Sequence, residues 1–334
     1  MLLNTIEHHG IRLSSVGIGT WAIGGPYWTE DEPTGWGGPL DDDDSVAGLS
    51  LALQGGLFHV DTADVYGYGR SERLVRSAIM NSSKEITIAS KVGFVGSSAP
   101  NVYTKENIRF QLEQSLRNLG RDQIEIYYIH HCDFGDNDQY LQEATAEILK
   151  LKREGKIKSI GLSGYSASDL IRVASILKPD FIQSWASIEH REFIHPDGHL
   201  AKFMSANDIK FIAMMPFGQG RILGKYNPNS PPQFEHGDNR IGNPEFQAES
   251  LKEFEPRINQ LKERFGASPD QLILPSLGFL LDHDVVASVV PGFRNSNQVK
   301  GILKAAEKSF STEDREFIER VFPIGEMGVH PWAG

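Results

Sequence analysis

The chain has 334 residues, of which 40% are hydrophobic and 23% charged, a composition typical of a globular protein with a sizeable core. Its net charge of −11 argues against nucleic acid or an anionic membrane as the main partner. The single cysteine, Cys132, excludes an intrachain disulfide and favours a reducing compartment. No apolar run approaches the roughly 18 residues of a membrane span, and the first residues lack the pattern of a signal peptide. We therefore expect a cytoplasmic protein without a membrane partner.

The first elements in chain order are a predicted β-hairpin and a short strand. Two apolar runs, 2–6 and 11–13, flank His8-His9-Gly10, as in a hairpin closed by a tight turn. Residues 16–19 predict a short strand. The glycine-rich loop that follows, 21–40, carries several aromatic side chains, and we expect it to shape a pocket.

A run of four acidic residues, 41–44, precedes a helical pattern. Acidic side chains at this place complement the dipole of a helix, and aspartate can cap its first turn. A calcium-binding loop starting at Asp41 would need glycine at its sixth position and glutamate at its twelfth, where the sequence has Val46 and Ala52. The run therefore predicts the start of a helix.

The rest of the chain alternates between apolar runs and helical patterns. The apolar runs show no alternation with polar residues, as expected of strands buried on both faces; they lie near 57–60, 86–90, 124–129, 159–162, 181–185, 211–215 and 286–290. The helical patterns cover 71–80, 104–119, 139–154, 168–177, 198–206, 251–265 and 296–307. With the strand at 16–19 they predict an α/β fold, a (β/α)8 TIM barrel.

Three further features complete this prediction. The N-terminal β-hairpin precedes the barrel, and extra helices near the C-terminus are expected over 269–281 and 311–321. The long segment 217–250 is predicted to be a functional loop, since loops of this length inside compact domains usually bind or cover a ligand. No linker-like stretch divides the sequence, so we expect a single domain over residues 1–334.

Polar residues stand at the carboxyl ends of the predicted strands, where the active site of a barrel lies. Asp61, Lys91 and His130 end three of these strands, and Tyr66 follows Asp61 in a glycine-containing loop. Each residue alone has a structural explanation, such as a turn cap or a core histidine, and their convergence on one rim is what favours catalysis. Other strand ends deliver Thr20, Trp21, Ser163, Gln183, Pro216 and Gly292.

These four side chains are suited to protonating the oxygen of a carbonyl group as it is reduced. A tyrosine titrates at about 10; a nearby lysine ammonium would lower the pKa of the phenol, and a carboxylate would keep the ammonium charged. A neutral histidine can donate a hydrogen bond to the carbonyl oxygen and orient it. The set predicts the acid half of a carbonyl reduction.

Asp61, Tyr66, Lys91 and His130, in this order, resemble the catalytic tetrad of the aldo-keto reductases. The resemblance covers about residues 1–308 and is greatest to the bacterial and potassium-channel-β-like branches. It implies a barrel enzyme that reduces an aldehyde or ketone, or oxidises a sugar or alcohol. The supporting stretches are 17–21, 61–72, 155–163, 224–226 and 290–299.

The resemblance also implies a cofactor, NADPH with NADH as an alternative, bound across the rim of the barrel without a Rossmann domain. Ser163 and Gln183 would contact the nicotinamide carboxamide, and Met214 would stand where the family usually stacks an aromatic ring. Arg294 would lie near the 2′-phosphate, where the turn into the next helix offers backbone N–H groups to phosphate. The other implied cofactor contacts are Thr20, Trp21, Pro216, Phe217, Gly218, Gly220, Gly292 and Gln298.

The sequence departs from the family pattern at two more places. Gly164 stands where members usually carry asparagine, which removes one carboxamide contact. Gly301 and Ile302 replace the usual Glu-Asn pair near the adenine. These departures leave the tetrad intact and leave the preference between NADPH and NADH open.

Two other chemistries are excluded by the sequence. The pattern Gly17-x-Gly19-x-x-Ala22 follows a strand, but it leads into glycine and proline instead of opening a helix as a Rossmann fingerprint must. His130 and His131 cannot share a metal ion, since neighbouring strand residues point to opposite faces. We therefore expect no metal at the active site.

Two classes of function remain. The first is an NADPH-dependent oxidoreductase with a small carbonyl or sugar substrate and Tyr66 as proton donor. The second is a regulatory subunit that senses the nicotinamide cofactor with little turnover. Retention of all four tetrad side chains favours the enzyme, while the identity of the substrate and the formation of a homo-oligomer are left open.

Overall fold

The computed structural model describes residues 1–29, 31–80, 82, 84–96 and 99–324. Most of its strands form one parallel sheet, and the others form two small antiparallel pairs. The strands are β1 (Thr5–His8), β2 (Ile11–Ser14), β3 (Ile18–Gly19), β4 (Trp28–Thr29), β5 (Glu32–Pro33), β6 (His59–Asp61), β7 (Thr87–Val92), β8 (Ile124–Ile129), β9 (Ile157–Ser163), β10 (Phe181–Trp185), β11 (Lys210–Met214) and β12 (Val286–Val290).

The parallel sheet closes on itself. Its eight strands follow the chain, in the order β3, β6, β7, β8, β9, β10, β11, β12. Parallel bridges from Val16 to Val289 and from Gly19 to Gly292 then join the first strand to the last. The predicted (β/α)8 barrel is confirmed.

Helices connect the strands and cover the outside of the barrel. They are α1 (Trp21–Gly24), α2 (Asp42–Gln54), α3 (Arg70–Ile79), α4 (Lys105–Leu119), α5 (Leu141–Arg153), α6 (Ala167–Leu177), α7 (His199–Ala206), α8 (Ala248–Phe265), α9 (Ile273–Leu281), α10 (Ser296–Ala306) and α11 (Thr312–Val321). The acidic run begins α2 as predicted, and the side chain of Asp41 caps it by accepting the backbone N–H of Asp44. In the described ranges, we find no helix that is both long enough and apolar enough to cross a membrane.

The hairpin β1–β2 covers the amino-terminal end of the barrel. Ile11 and Leu13 are buried among side chains that fill the barrel from the inside. Tyr128 fills much of this interior, and it lies so close to β9 that a Cβ added at Gly161 would sit 2.2 Å from its ring. Glycine is therefore required at position 161.

The loop 21–40 is more ordered than its composition predicts. It contains the helical turn α1 and the two-stranded ribbon β4–β5. It also binds the loop 217–250 across the mouth of the barrel: the N–H of Asn239 donates to the carbonyl of Gly35 at 3.0 Å, and the N–H of Gly37 donates to Asp238 Oδ2 at 3.0 Å. These contacts roof the carboxyl end of the barrel.

Candidate active site

The core of the candidate site is a buried ion pair between two adjacent strands. Asp61 ends β6 and pairs with Ala89 of β7. Lys91 lies two residues further along β7. Lys91 Nζ donates to Asp61 Oδ2 at 2.8 Å and to the carbonyl of Thr62 at 2.8 Å. The lysine is 0% exposed, so its ammonium group depends on these partners in place of water.

Tyr66 joins this pair from the loop that follows β6. Lys91 Nζ donates to Tyr66 Oη at 3.2 Å and also lies 4.9 Å from the centre of the tyrosine ring. The loop turns back at Gly67, which has a φ of +60°. A Cβ added there would lie 2.2 Å from the carbonyl oxygen of Gly24, so a side chain is excluded at this position. The turn at Gly67 therefore sets the position of the phenol.

The ionisation of the phenol differs from the sequence-based expectation. Burial raises the pKa of Tyr66 well above its usual value, and the charge of Asp61 raises it further. The expected lowering by the lysine is therefore wrong, because the desolvation of a phenolate at this depth outweighs the ammonium. Burial lowers the pKa of Lys91, and Asp61 opposes this shift. The phenol is held protonated at neutral pH.

His130 faces the phenol from the next strand. It directly follows β8, and its ring lies edge-on to that of Tyr66 at a centroid distance of 5.9 Å. Burial and the charge of Lys91 hold the pKa of His130 well below its usual value, so the imidazole is neutral. Its Nδ1 is buried and has no hydrogen-bond partner among the described residues.

A cavity of about 680 Å³ opens above these residues. Trp21, Tyr27, Phe94 and Tyr165 contribute aromatic walls at the tetrad end. Of the residues predicted from the sequence, the following line it: Asp61, Tyr66, His130, Trp21, Met214, Pro216, Phe217, Gly220, Gly292, Arg294 and Gln298. The structure thus brings most of the predicted catalytic and cofactor residues to one cavity that is large enough for an extended ligand.

Some predicted cofactor residues lie behind the wall of the cavity: Thr20, Ser163, Gln183 and Gly218 do not line it. The hydroxyl of Thr20 donates to the carbonyl of Asp61 at 2.9 Å and so supports the end of β6; its contact with the cofactor stays a prediction. Gln183 Nε2 donates to Asp61 Oδ1 at 2.8 Å. Its Oε1 and the Oγ of Ser163 are buried without hydrogen-bond partners in the described chain.

The predicted phosphate-binding turn before α10 has fewer free N–H groups than expected. The N–H of Arg294 donates to Gln298 Oε1 at 2.8 Å, and that of Gln298 donates to Asn295 Oδ1 at 3.0 Å. The N–H of Ser296 donates to Asp44 Oδ1 at 3.3 Å. The prediction that these backbone N–H groups are free for phosphate is therefore wrong for the three donors. The side chains of Asp44, Asn295 and Gln298 already accept their hydrogen bonds.

Sequence reasoning missed a second arginine in the cavity. Arg240 forms an ion pair with Asp238 at 2.6 Å and lies between the rings of Trp36 and Phe234, at 3.8 Å and 4.1 Å from their centres. Its segment was recognised only as a long loop, since irregular backbone has no periodic pattern that assigns partners. An arginine and an aspartate two residues apart in that loop were the available signal.

Comparison with known proteins identifies the family. The model of the Aldo/keto reductase family matches residues 15–322. The chain belongs to the aldo/keto reductase family. It is 28% identical to aldo-keto reductase YhdN of Bacillus subtilis, over 99% of this chain and 98% of that protein. It is 28% identical to aldo-keto reductase yakc [NADP(+)] of Schizosaccharomyces pombe, over 89% of this chain and 88% of that protein.

Solved structures show the same fold. The glycerol dehydrogenase of Gluconobacter oxydans superposes with a TM-score of 0.76 at 26% identity, over 96% of this chain and 95% of that chain. Family membership confirms that the chain is an oxidoreductase of the aldo-keto reductase class, an enzyme that acts on carbonyl groups. The resemblance seen in the tetrad residues is therefore confirmed at the level of family, fold and enzyme class.

Proposed function

We propose that this aldo-keto reductase reduces the carbonyl group of a small aldehyde or ketone with NADPH, and that Tyr66 donates the proton. The observation that carries the proposal is the buried contact set of Lys91, whose ammonium lies 2.8 Å from Asp61 and 3.2 Å from the phenol oxygen of Tyr66. An ammonium buried between a carboxylate and a phenol at the wall of a cavity is an arrangement typical of a proton-transfer site.

Tyr66 holds the proton until it is needed. Because the pKa of Tyr66 is raised by burial, the phenol stays protonated, and it releases its proton only to an oxygen that becomes strongly basic. A carbonyl oxygen gains this basicity as negative charge develops on it during reduction. Lys91 then stabilises the phenolate that remains, because its ammonium already contacts the phenol oxygen.

Asp61 and His130 support this transfer in different ways. Asp61 keeps Lys91 charged, and Gln183 fixes the carboxylate by donating to its other oxygen. His130 is neutral and lines the cavity beside the phenol. It can therefore donate a hydrogen bond to the substrate carbonyl without competing for the proton.

Two buried polar atoms behind the tetrad end of the cavity offer a donor and an acceptor suited to a nicotinamide carboxamide. Ser163 Oγ and Gln183 Oε1 are without hydrogen-bond partners in the described chain, and buried polar atoms are rarely left so. A carboxamide group can satisfy both, one as donor and one as acceptor. When bound, the reduced nicotinamide supplies the hydride that reduces the carbonyl carbon.

The choice of NADPH follows from the basic residues at the far end of the cavity. Arg294 and Arg240 both line it, and Arg294 Nη2 is held by the carbonyl of Pro39 at 2.8 Å. The Arg240 guanidinium is already paired with Asp238, so Arg294 is the candidate partner for a 2′-phosphate. The Schizosaccharomyces pombe relative is named with NADP(+). Asp44 beside α10 opposes this preference, so NADH is the competing cofactor. We assign this reaction to one domain over residues 1–334.

Replacement of the proton donor tests the proposal. We expect Tyr66→Phe to lower turnover of NADPH with an aldehyde by about 10²–10⁴-fold, while the cofactor still binds as judged by quenching of tryptophan fluorescence. Tyr68→Phe is the matched control, since Tyr68 lies in the same loop but is 57% exposed, and it should retain near wild-type turnover. Normal activity of Tyr66→Phe would refute the assignment.

A further inference from the structure

A cluster of potential metal ligands lies at the opposite end of the barrel from the active site. His8, His9 and Asp208 can each offer one ligand atom, and these atoms lie within 4.8 Å of one another. His8 ends β1, His9 forms the hairpin turn, and Asp208 precedes β11. These elements cover the amino-terminal end of the barrel, so the cluster is separated from the tetrad by the length of the strands.

His8 carries a buried nitrogen that has no hydrogen-bond partner among the described residues. The residue is only 8% exposed, and its ring packs edge-on against Phe181 at 5.3 Å and against His9 at 4.1 Å between centroids. Its Nε2 is buried and has no hydrogen-bond partner among the residues that the structure describes. A buried polar atom without a partner is uncommon and calls for a ligand, water or ion.

The turn conformation explains how two adjacent histidines share one side. Neighbouring residues in a strand point to opposite faces, which excludes a common ion at His130 and His131. His9, however, has a φ of +48° in the turn, and this left-handed conformation rotates its side chain back toward His8. Asp208 also has a positive φ, +53°. Histidine and aspartate are among the residues that tolerate this conformation.

One distance in the cluster matches the spacing of two ligands on a tetrahedral ion, and the ligand atoms all lie within 4.8 Å of one another. Zinc binds imidazole nitrogen and carboxylate oxygen at about 2.0–2.2 Å, which places two tetrahedral ligands about 3.3–3.5 Å apart. His9 Nε2 lies 3.3 Å from Asp208 Oδ2 and 3.3 Å from the backbone carbonyl oxygen of Asp208. The imidazole therefore exchanges a hydrogen bond with this carbonyl for the metal when it becomes a ligand. The nearby ammonium of Lys210 is turned away to the carbonyl of Asp284 at 2.9 Å.

A second cluster in the described chain meets the same distance criterion but already holds a cation. Glu189, His190 and Glu245 lie within 4.8 Å of one another. Arg221 Nη1 sits among them, 2.5 Å from Glu189 and 3.6 Å from Glu245. A buried guanidinium group there replaces a metal ion and repels one, so this cluster serves as an internal comparison.

We propose that His8, His9 and Asp208 form a zinc-binding site that ties the N-terminal hairpin to the turn before β11, with water completing the coordination. Two imidazoles and one carboxylate select Zn²⁺ over Mg²⁺ and Ca²⁺, because Mg²⁺ and Ca²⁺ favour oxygen ligands. The bound ion stabilises the cover on the amino-terminal end of the barrel and leaves the reductase chemistry unaffected.

The test measures zinc binding to the protein without an affinity tag. We expect titration calorimetry with ZnCl₂ to give one ion per chain at micromolar affinity, and Zn²⁺ but not Mg²⁺ or Ca²⁺ to raise the unfolding temperature. His9→Asn and Asp208→Asn each introduce asparagine, which tolerates the positive φ at these positions. Each variant should weaken zinc binding at least about tenfold. The exposed His199→Gln should bind zinc as the wild type does.

Three results would overturn the proposal. The first is the absence of a stoichiometric zinc site in the wild type. The second is a site that survives in both His9→Asn and Asp208→Asn. The third is loss of the site in His190→Asn, which would assign zinc to the second cluster. Carbonyl reduction by His9→Asn should equal that of the wild type, so the outcome is independent of the proposed function.

Discussion

Replacement of Lys91 by methionine separates the electrostatic role of the lysine from its packing. The side chain is 0% exposed, and its ammonium contacts Asp61, the carbonyl of Thr62 and the phenol of Tyr66. Methionine has a similar length and fills irregular space well, so the variant creates little cavity. What it removes is the positive charge that contacts the Asp61 carboxylate and the Tyr66 phenol.

The magnitude follows from the charge that is left behind. Breaking a buried ion pair by removing one partner costs about 3–5 kcal/mol, whereas removing both is far less damaging. We therefore expect Lys91→Met to lower the free energy of unfolding by about 3–5 kcal/mol, since Asp61 keeps a buried charge with only Gln183 as side-chain donor. The double variant with Asp61→Asn should recover part of this loss.

The assay is urea unfolding of Lys91→Met, Asp61→Asn and the double variant, read by tryptophan fluorescence, with turnover measured in parallel. Lys156→Met is the control, since its ion pair with Glu113 is partly exposed and should be worth under about 1 kcal/mol. Turnover should fall about 10²–10⁴-fold in both variants that lack Lys91. Strictly additive losses in the double variant, or full activity in Lys91→Met, would refute the reasoning.

Three further predictions concern the cofactor and the pH dependence of stability. Arg294→Ala should weaken binding of NADPH far more than binding of NADH in fluorescence titrations, and equal losses would remove the arginine from the 2′-phosphate site. Asp44→Asn should shift the preference toward NADPH, because a carboxylate at the start of α10 repels that phosphate; the neighbouring exposed Asp43→Asn should not. Burial lowers the pKa of His59 to about 4, so the unfolded protein binds the extra proton and stability falls as the pH drops from about 6.5 toward 4. At 1.36 kcal/mol per pH unit, the free energy of unfolding should fall by about 3 kcal/mol across this range. In His59→Gln, the difference between the free energies of unfolding at about pH 6.5 and about pH 4 should be smaller by a similar amount.

Much of the fold was predictable because barrel strands and helices carry local periodic patterns. The predicted strands 124–129, 181–185 and 286–290 agree with the observed bounds of β8, β10 and β12. The tetrad side chains could be placed on one rim as well, since the carboxyl ends of parallel strands meet at the same end of a barrel. The place of a strand end in the barrel can therefore be inferred from the sequence, whereas the place of a loop residue cannot.

The loops and the energetics were decided by tertiary structure. Arg240 packs on Trp36 from about two hundred residues away, and His9 meets Asp208 over a similar separation; neither pairing leaves a periodic trace. The pKa of Tyr66 rises where its neighbours predicted a fall, because desolvation depends on how completely the folded chain excludes water and not on which residues are adjacent in sequence. Which side chains could react can thus be inferred from the local sequence. Their protonation states and contact partners depend on how the chain folds into the closed barrel.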